Sequence, residues 1–254
     1  MDLKNNMDTH MGAMIIADLN NHVSTVAARG VLQSIKVTKS NLIPVVLQAT
    51  TPETLDEDLK AFGLTKNDWT YPKRAHEKKI DIKTGLHVTG YAAQDLDKVI
   101  SCTVSHMRAW YYSIMANAPI CVFEHDAYLT RKLDYHPNFK KIGIVGLNDP
   151  RGATRKSGVY FDKVIHSPFR EEGGGGLTYT PVPWVDDSQD QPQGLAGNSA
   201  YIISPQAAKK FLDKINDIGL WPNDALMCKQ FFPYMKQAYP FYTKLQGVQS
   251  TTQG

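Results

Sequence analysis

The feature of this chain that most restricts its fold is an alternation of short apolar runs with amphipathic segments. MGAMIIADL (11–19) and IPVVLQA (43–49) are typical of buried strands, and STVAARGVLQSIKV (24–37) has helical spacing with Ser24 as its N-cap. A second helix is predicted within 50–63, where acidic residues fill the first turn. This order is typical of strands joined by right-handed crossovers, so we predict an α/β fold with a mostly parallel central sheet.

The rest of the chain continues this alternation. Further helices are predicted at 96–117, 205–215 and 223–232, and further strands at 118–129, 141–149 and 197–204. Two segments interrupt the pattern: 64–97, interpreted as a basic surface insertion, and 150–196, interpreted as a loop-rich acceptor or lid region. Within the second, Gly173–Gly176 is interpreted either as a flexible hinge or as a plain disordered loop. A length of 254 residues suits a single α/β domain.

The net charge of +3 is the sum of uneven parts. Seven basic residues stand against three acidic ones from Lys60 to Lys83, and nine against three from Arg131 to Arg170. Such blocks are typical of surfaces that bind phosphates, although chance clustering on a solvated surface gives the same pattern. There is no signal-peptide pattern, no apolar run of 18 residues and no disulfide framework among three cysteines, so we expect a cytoplasmic protein.

The sequence Glu124-His125-Asp126 directly follows the apolar run 120–123. Side chains alternate along a strand, so Glu124 and Asp126 project to the same side. Two adjacent carboxylates repel each other, and Mg²⁺ or Mn²⁺ relieves that repulsion. Such an ion can neutralise a pyrophosphate leaving group, which indicates chemistry on nucleotide-sugars. The alternative is a solvated strand end whose acids face water.

Three ordered blocks resemble glycosyltransferase family 25, the lipooligosaccharide-biosynthesis type. That family has a helix with a Ser-His pair, here Ser105-His106, and then an apolar strand that ends in Glu-Asp-Asp-Ala, here Glu124-His125-Asp126-Ala127. GNSAYIISPQAAKKFLD (197–213) resembles the family's Gly-x-x-x-Tyr strand and helix, and WPNDALM (221–227) resembles its Pro-x-Asp segment.

The resemblance implies a GT-A fold, which is Rossmann-like, as one domain over 1–254, with a UDP-sugar as the donor. It places the metal, Mn²⁺ or Mg²⁺, on Glu124 and Asp126, and His125 replaces the central Asp and can bind in its neutral form. The family is generally inverting, so one carboxylate should act as a base in a single displacement. Asp224 is the leading candidate, either as this base or as a further metal ligand, and Asp186 and Asp187 are its rivals. Donor-binding roles fall on Asp18, Arg29, Ser105, Glu124 and Asn198.

The chain also departs from the family pattern. Members usually follow the first strand with Asn-Leu-x-Arg-Arg-x-x-Arg, whereas ADLNNHVSTVAARG has Arg29 as its single arginine, which indicates a divergent, phage-type branch. The internal basic blocks favour a nucleic-acid acceptor, a hydroxymethylated pyrimidine in double-stranded phage-type DNA that is flipped into the site. The alternatives are a lipooligosaccharide or surface-glycan acceptor, and a non-catalytic nucleic-acid-binding protein on a decayed transferase fold. His106 is expected in the core, and the cysteines predict no zinc site.

Overall fold

A mixed eight-stranded sheet forms the centre of the fold. The computed structural model describes residues 9–92, 95–151, 153 and 156–247. The strand order is β2-β1-β5-β10-β7-β11-β9-β8, and the pairings make six strands point one way, with β9 and β10 reversed. This confirms the predicted α/β fold with a mostly parallel sheet. The strands of this sheet are β1 Met11–Ala17, β2 Leu42–Gln48, β5 Ile120–Glu124, β7 Ile144–Gly146, β8 Glu171–Gly174, β9 Leu177–Pro181, β10 Ala200–Ile203 and β11 Lys236–Ala238.

Two short pairs lie outside this sheet, and helices cover both of its faces. The pairs are β3 Lys78–Ile80 with β4 His87–Thr89, and β6 Ala127–Leu129 with β12 Thr243–Leu245. The helices are α1 His22–Thr38, α2 Leu55–Ala61, α3 Leu96–Ala116, α4 Ser157–Ile165, α5 Pro205–Ile218 and α6 Asn223–Leu226. None of the helices in the described part of the chain is both long and apolar enough to span a bilayer.

The core consists of two hydrophobic clusters, one on each face of the sheet. Because side chains alternate along β5, Val122 packs into the cluster that contains residues of α2, α3 and α5. Phe123 packs into the opposite cluster, with Val31 and Ile35 of α1. The sheet therefore lies between two helical layers, and the ends of its strands are left to form the site.

Local signals explain where the two helices nearest the site begin and end. Asn21, not Ser24, caps α1, because the Asn21 side chain accepts from the Ser24 backbone N–H. The Asp95 carboxylate caps α3 by accepting from two backbone N–H groups. α3 ends at Asn117, which adopts a left-handed conformation (φ 46°), as many helices do at this position.

Three sequence-based expectations are corrected. The helix predicted over 223–232 ends at Leu226. Segment 64–97 is not a purely surface insertion, because four of its hydrophobic residues pack into the core: Trp69, Tyr71, Leu86 and Val88. Gly173–Gly176 is not a hinge over a site. It forms the end of β8 and its turn into β9, at the edge of the sheet, where positive φ angles at the last three of these residues favour glycine.

Candidate functional site

The polar ends of neighbouring strands meet at one edge of the sheet. Glu124 is the last residue of β5, and Asp18 directly follows β1. Because β1, β2 and β5 are parallel, their C-terminal ends lie together, and ligands bind at this edge in open α/β sheets. The Glu124 backbone N–H donates to the Ser199 carbonyl over 2.8 Å, which ties this strand end to the segment before β10.

Two clefts open at this edge and share Cys102 and Glu124. The smaller cleft, of about 420 Å³, lies around the ends of β1, β2 and β5 and the start of α3. The larger cleft, of about 960 Å³, lies between α3, α6 and the segment before β10. Both volumes are in the range of small-molecule sites. Glu124 therefore stands where the contents of the two clefts would meet.

Carboxylates dominate the lining of the smaller cleft. Lys98 is the one lysine or arginine among the described residues that line it, against five acids: Asp18, Glu53, Asp95, Glu124 and Asp126. A phosphate-bearing ligand would be repelled by this lining unless a cation entered with it. The charges of this lining therefore disfavour an isolated anion in the smaller cleft.

His125 and Asp126 each present a buried atom without a partner. Among the described residues, neither His125 Nε2 nor Asp126 Oδ1 makes a hydrogen bond. Burial and the nearby Glu124 carboxylate raise the pKa of Asp126 to about 6. Burial lowers the pKa of His125, so its imidazole stays neutral and keeps a lone pair for a ligand. Unpaired buried polar atoms of this kind are costly unless a ligand or ion satisfies them.

A chain of hydrogen bonds fixes the orientation of Glu124. Trp110 Nε1 donates to the Tyr201 hydroxyl (2.8 Å), which lies 2.7 Å from His106 Nδ1, and His106 Nε2 lies 3.2 Å from Glu124 Oε1. The Glu124 carboxylate can only accept, so the proton of a neutral His106 is assigned to Nε2, and Nδ1 then accepts from the Tyr201 hydroxyl. Burial is the largest single influence and opposes the charge of Glu124, but the hydrogen bond and the electrostatic attraction of His106, together with that of His125, lower the pKa of Glu124 overall. His106, which was expected in the core, thus also orients the Glu124 carboxylate of the site.

Cys102 is a site residue that the sequence analysis missed. Among the described residues, the one group of three whose ligand atoms all lie within 4.8 Å of one another is Cys102, His106 and Glu124. The one-turn spacing of Cys102 and His106 on α3 was the available signal. His106 Nε2 already donates to Glu124, and burial raises the pKa of the Cys102 thiol well above its usual value, so the thiol stays protonated rather than in the thiolate form that binds metals.

The three residues predicted to bind metal are not such a compact group. The ligand atoms of Glu124, His125 and Asp126 spread over more than 4.8 Å. Mg²⁺ in nucleotide sites, however, is commonly held by one or two carboxylates together with substrate phosphates. The Glu124 and Asp126 carboxylates both line the smaller cleft and fit an ion bound in that way, and His125 as a third ligand stays a prediction.

Asp224 lies in the larger cleft, where it accepts a hydrogen bond. The Tyr91 hydroxyl donates to Asp224 Oδ1 over 2.5 Å. Asp224 is accessible from the cleft, yet desolvation by the surrounding protein raises its pKa. A carboxylate that is open to a ligand and has a raised pKa can act as a general base.

The other residues predicted for this part of the site do not all line the larger cleft. Asn198 is buried, lines the larger cleft, and its Oδ1 has no partner among the described residues. Asp186 also lines this cleft, where it pairs with Lys156. Asp187 is exposed and lines neither of these two clefts, so its predicted role as a base stays a prediction.

Of the residues predicted to bind the donor, some line the smaller cleft and others do not. Asp18 lines the smaller cleft. Ser105 lines it as well, but its hydroxyl accepts from the Thr50 N–H and donates to the Ser101 carbonyl, so it positions the segment after β2. Arg29 lies exposed on α1 and lines neither of these two clefts, so its predicted contact with the donor stays a prediction.

Comparisons with known proteins add little to this site. No protein-family model matches the sequence, and no curated protein sequence is detectably similar. Among solved structures, the chain is similar to mouse Xyloside xylosyltransferase 1 in its apo form, with 10% identity, 89% of this chain and 83% of that chain covered, and a TM-score of 0.33. A likeness at this level assigns no activity, so function rests on the residues of the site.

Proposed function

We propose that this protein is a metal-dependent glycosyltransferase that moves a sugar from a nucleotide-sugar to an acceptor hydroxyl. The observation that carries the proposal is the position of Glu124 between two clefts, one of which is too acidic for a diphosphate without a cation. A transferase needs two adjoining substrate sites with the reacting atoms at their junction.

The smaller cleft would hold the donor. Glu124 and Asp126 would hold Mn²⁺ or Mg²⁺ together with the diphosphate oxygens. When bound, the ion supplies Lewis-acid stabilisation of the departing nucleoside diphosphate. The segment 50–53 and Asp18 line the rest of this cleft and would contact the nucleoside. UDP-sugars are the first donors to test, because the family resemblance implies them.

The larger cleft would hold the acceptor. Asp224 would take the proton of the acceptor hydroxyl as its oxygen attacks the anomeric carbon. The bond between that carbon and the phosphate oxygen breaks, and the electron pair leaves with the nucleoside diphosphate. Asn198 Oδ1, which lacks a partner among the described residues, would accept a hydrogen bond from an acceptor hydroxyl.

The lining of the larger cleft favours a neutral, hydroxyl-rich acceptor. Among the described lining residues the ionisable side chains are three acids together with Lys156 and His87, and Tyr91, which is 39% exposed, offers a flat surface for a sugar ring. A glycan hydroxyl fits this surface better than a phosphate backbone does. The DNA acceptor, which rests on the charge blocks of the sequence, therefore ranks second. A non-catalytic binding role gives no reason for the unpartnered Asp126 carboxylate.

The test is a transfer assay read by product mass. The enzyme is incubated with Mn²⁺ and a panel of UDP-sugars, and with either truncated lipooligosaccharide or hydroxymethylated double-stranded DNA. A mass increase of one sugar on the glycan supports the proposal, and the same increase on DNA moves the acceptor to nucleic acid. Absence of both transfer and donor hydrolysis across the panel contradicts the proposal.

A further inference from the structure

The segment 73–89, here called the basic hairpin, presents an outward face beside the larger cleft. In the antiparallel register Lys78 is opposite Thr89, and Ile80 is opposite His87, so these four side chains share one face. The other face is turned to the core, since Val88 is buried there. His87 and Thr89 also line the larger cleft. The outward face of the basic hairpin therefore continues the wall of that cleft.

Two isoleucines of the basic hairpin are exposed to an unusual degree. Ile82 at the turn is 99% exposed and Ile80 is 60% exposed. Burial of an isoleucine side chain is strongly favourable, so two neighbouring exposed isoleucines on a projecting turn indicate a partner that offers an apolar environment.

Cations surround these isoleucines. Five basic residues of the basic hairpin are exposed: Lys73, Arg74, Lys78, Lys79 and Lys83. Within the described residues Lys73, Arg74 and Lys78 form no ion pair, whereas Lys79 and Lys83 donate to backbone carbonyls.

The two acids of the basic hairpin are engaged locally. The Glu77 carboxylate accepts from the Arg74 backbone N–H, and Asp81 is buried and accepts from Thr84. The exposed charge of the segment is therefore positive.

We propose that the basic hairpin docks on an anionic lipid bilayer, with Ile80 and Ile82 entering the interface and Lys73, Arg74 and Lys78 facing the headgroups. A surface with apolar residues at its tip and cations around them has the chemistry of interfacial binding. A nucleic acid would satisfy the cations but would gain nothing from two exposed isoleucines. Docking would bring the larger cleft to the bilayer. The docking itself does not depend on the proposed function. That a lipid-anchored acceptor would then reach Asp224 does rest on the proposed function.

The experiment is vesicle sedimentation of the full chain without any nucleotide-sugar. Vesicles of phosphatidylcholine alone are compared with vesicles that also contain phosphatidylglycerol, at low and high salt. Binding to the anionic vesicles that weakens with salt, and little binding to the neutral ones, is expected. Because no nucleotide-sugar is present, this result tests the docking independently of any sugar transfer.

Paired variants separate the apolar from the charged contribution. The double change Ile80→Asn and Ile82→Asn, which removes the apolar side chains without adding charge, should weaken binding to anionic vesicles at least tenfold, and Lys73→Ala with Lys78→Ala by about tenfold or more. Two controls should bind as the native chain does: Lys209→Ala with Lys210→Ala, which removes equal charge from exposed positions on α5, and Val37→Asn, at an exposed apolar position on α1. Circular dichroism checks that each variant is folded.

Two results overturn the proposal. One is an absence of binding to anionic vesicles at low salt. The other is binding that the isoleucine changes leave intact. A duplex DNA of matched charge is tested in parallel, and if it binds in preference to vesicles and ignores the isoleucine changes, the surface belongs to nucleic acid instead.

Discussion

His106 donates through Nε2 to the Glu124 carboxylate over 3.2 Å, from a helix position that is itself buried. The opposite nitrogen of this ring is held by Tyr201, so the imidazole cannot turn without the loss of two hydrogen bonds. Glu124 is thus held as a charged carboxylate at the junction of the two clefts, although burial alone would favour its neutral form.

The histidine should matter through the proton that it donates. His106→Leu removes the donor to Glu124, whereas His106→Gln keeps an N–H group near the same place. Because a hydrogen bond to a charged group contributes about 1.5–3 kcal/mol, we expect His106→Leu to lower kcat/KM for the donor about 10- to 100-fold, and His106→Gln to retain most of it. Steady-state kinetics check this. Equal losses in both variants would contradict the role of the donated proton.

Tyr201 should act through the same chain without touching substrate. Tyr201→Phe leaves Trp110 Nε1 and His106 Nδ1 without partners in the core, so the free energy of unfolding should fall by about 1–3 kcal/mol. A change in kcat and in its pH profile should accompany this loss, because Glu124 loses its fixed donor. Denaturant unfolding and kinetics below the transition measure the two effects. A drop in stability with unchanged kinetics would show that the chain is purely structural.

The pH dependence of the rate should report Asp224. Only the deprotonated carboxylate can accept a proton, so the rate should rise with pH through its pKa, which burial raises above the usual value for an aspartate. The Tyr91 hydroxyl opposes this shift, because its hydrogen bond favours the charged form. Tyr91→Phe should therefore move the acid limb of kcat/KM to higher pH, and Asp224→Asn should remove activity. Asp187→Asn, outside both clefts, is the matched control and should behave as the native chain.

Proton binding at Asp126 should compete with the metal. With a pKa of about 6, this carboxyl must lose a proton to bind an ion at acid pH. Apparent Mn²⁺ affinity should fall up to about tenfold per pH unit below 6 and level off above it.

Without metal, protonation of Asp126 affects the stability of the fold, and this effect has the opposite pH dependence to metal affinity. A raised carboxyl pKa means that the folded state binds the proton more tightly than the unfolded state, so stability should decrease as pH rises from 3.8 to beyond about 6. Asp126→Asn should reduce this slope, and the part that remains is expected from Asp224, whose pKa is also raised. Thermal unfolding across pH measures the slope, and one that the variant leaves unchanged would assign the titration to another group.

Two glycines should respond in opposite directions to alanine. A Cβ on Gly194 would collide with the Met227 carbonyl, whereas one on Gly158 in α4 would enter open space. Gly194→Ala should lower the free energy of unfolding by about 1–3 kcal/mol, because the rigid backbone cannot give way. Gly158→Ala should raise it by about 0.5–1 kcal/mol, since alanine suits a helix better. Denaturant midpoints compare them, and a neutral Gly194→Ala would show that the wall of the larger cleft can shift.

The sequence predicted the strands better than the segments between them. Strands β1, β2, β5 and β10 were found because each is a short apolar run with polar ends. The helix predicted over 223–232 was wrong beyond Leu226, where apolar residues that suit a helix serve the core instead, among them Met227 and Cys228. Trp69 was missed as core because its neighbours in sequence are polar and its packing partners are remote.

The site could be predicted where its residues are close in sequence. Glu124 and Asp126 stand two residues apart, and the structure puts both on the smaller cleft. The hydrogen bond between His106 and Tyr201 joins residues 95 positions apart, and that between Tyr91 and Asp224 joins residues 133 apart, so no local pattern could reveal them. Arg29 was assigned from its position in a motif, and the face of α1 that it occupies is exposed.

Calorimetric titration of a UDP-sugar into the metal-free protein, repeated with Mn²⁺, tests the coupling of donor and cation at the Glu124 edge most directly. We predict measurable binding only with Mn²⁺, its loss in Asp126→Asn, and native behaviour in Asp187→Asn. Binding of equal strength with and without Mn²⁺, or no binding of any UDP-sugar to the folded protein, would contradict the account.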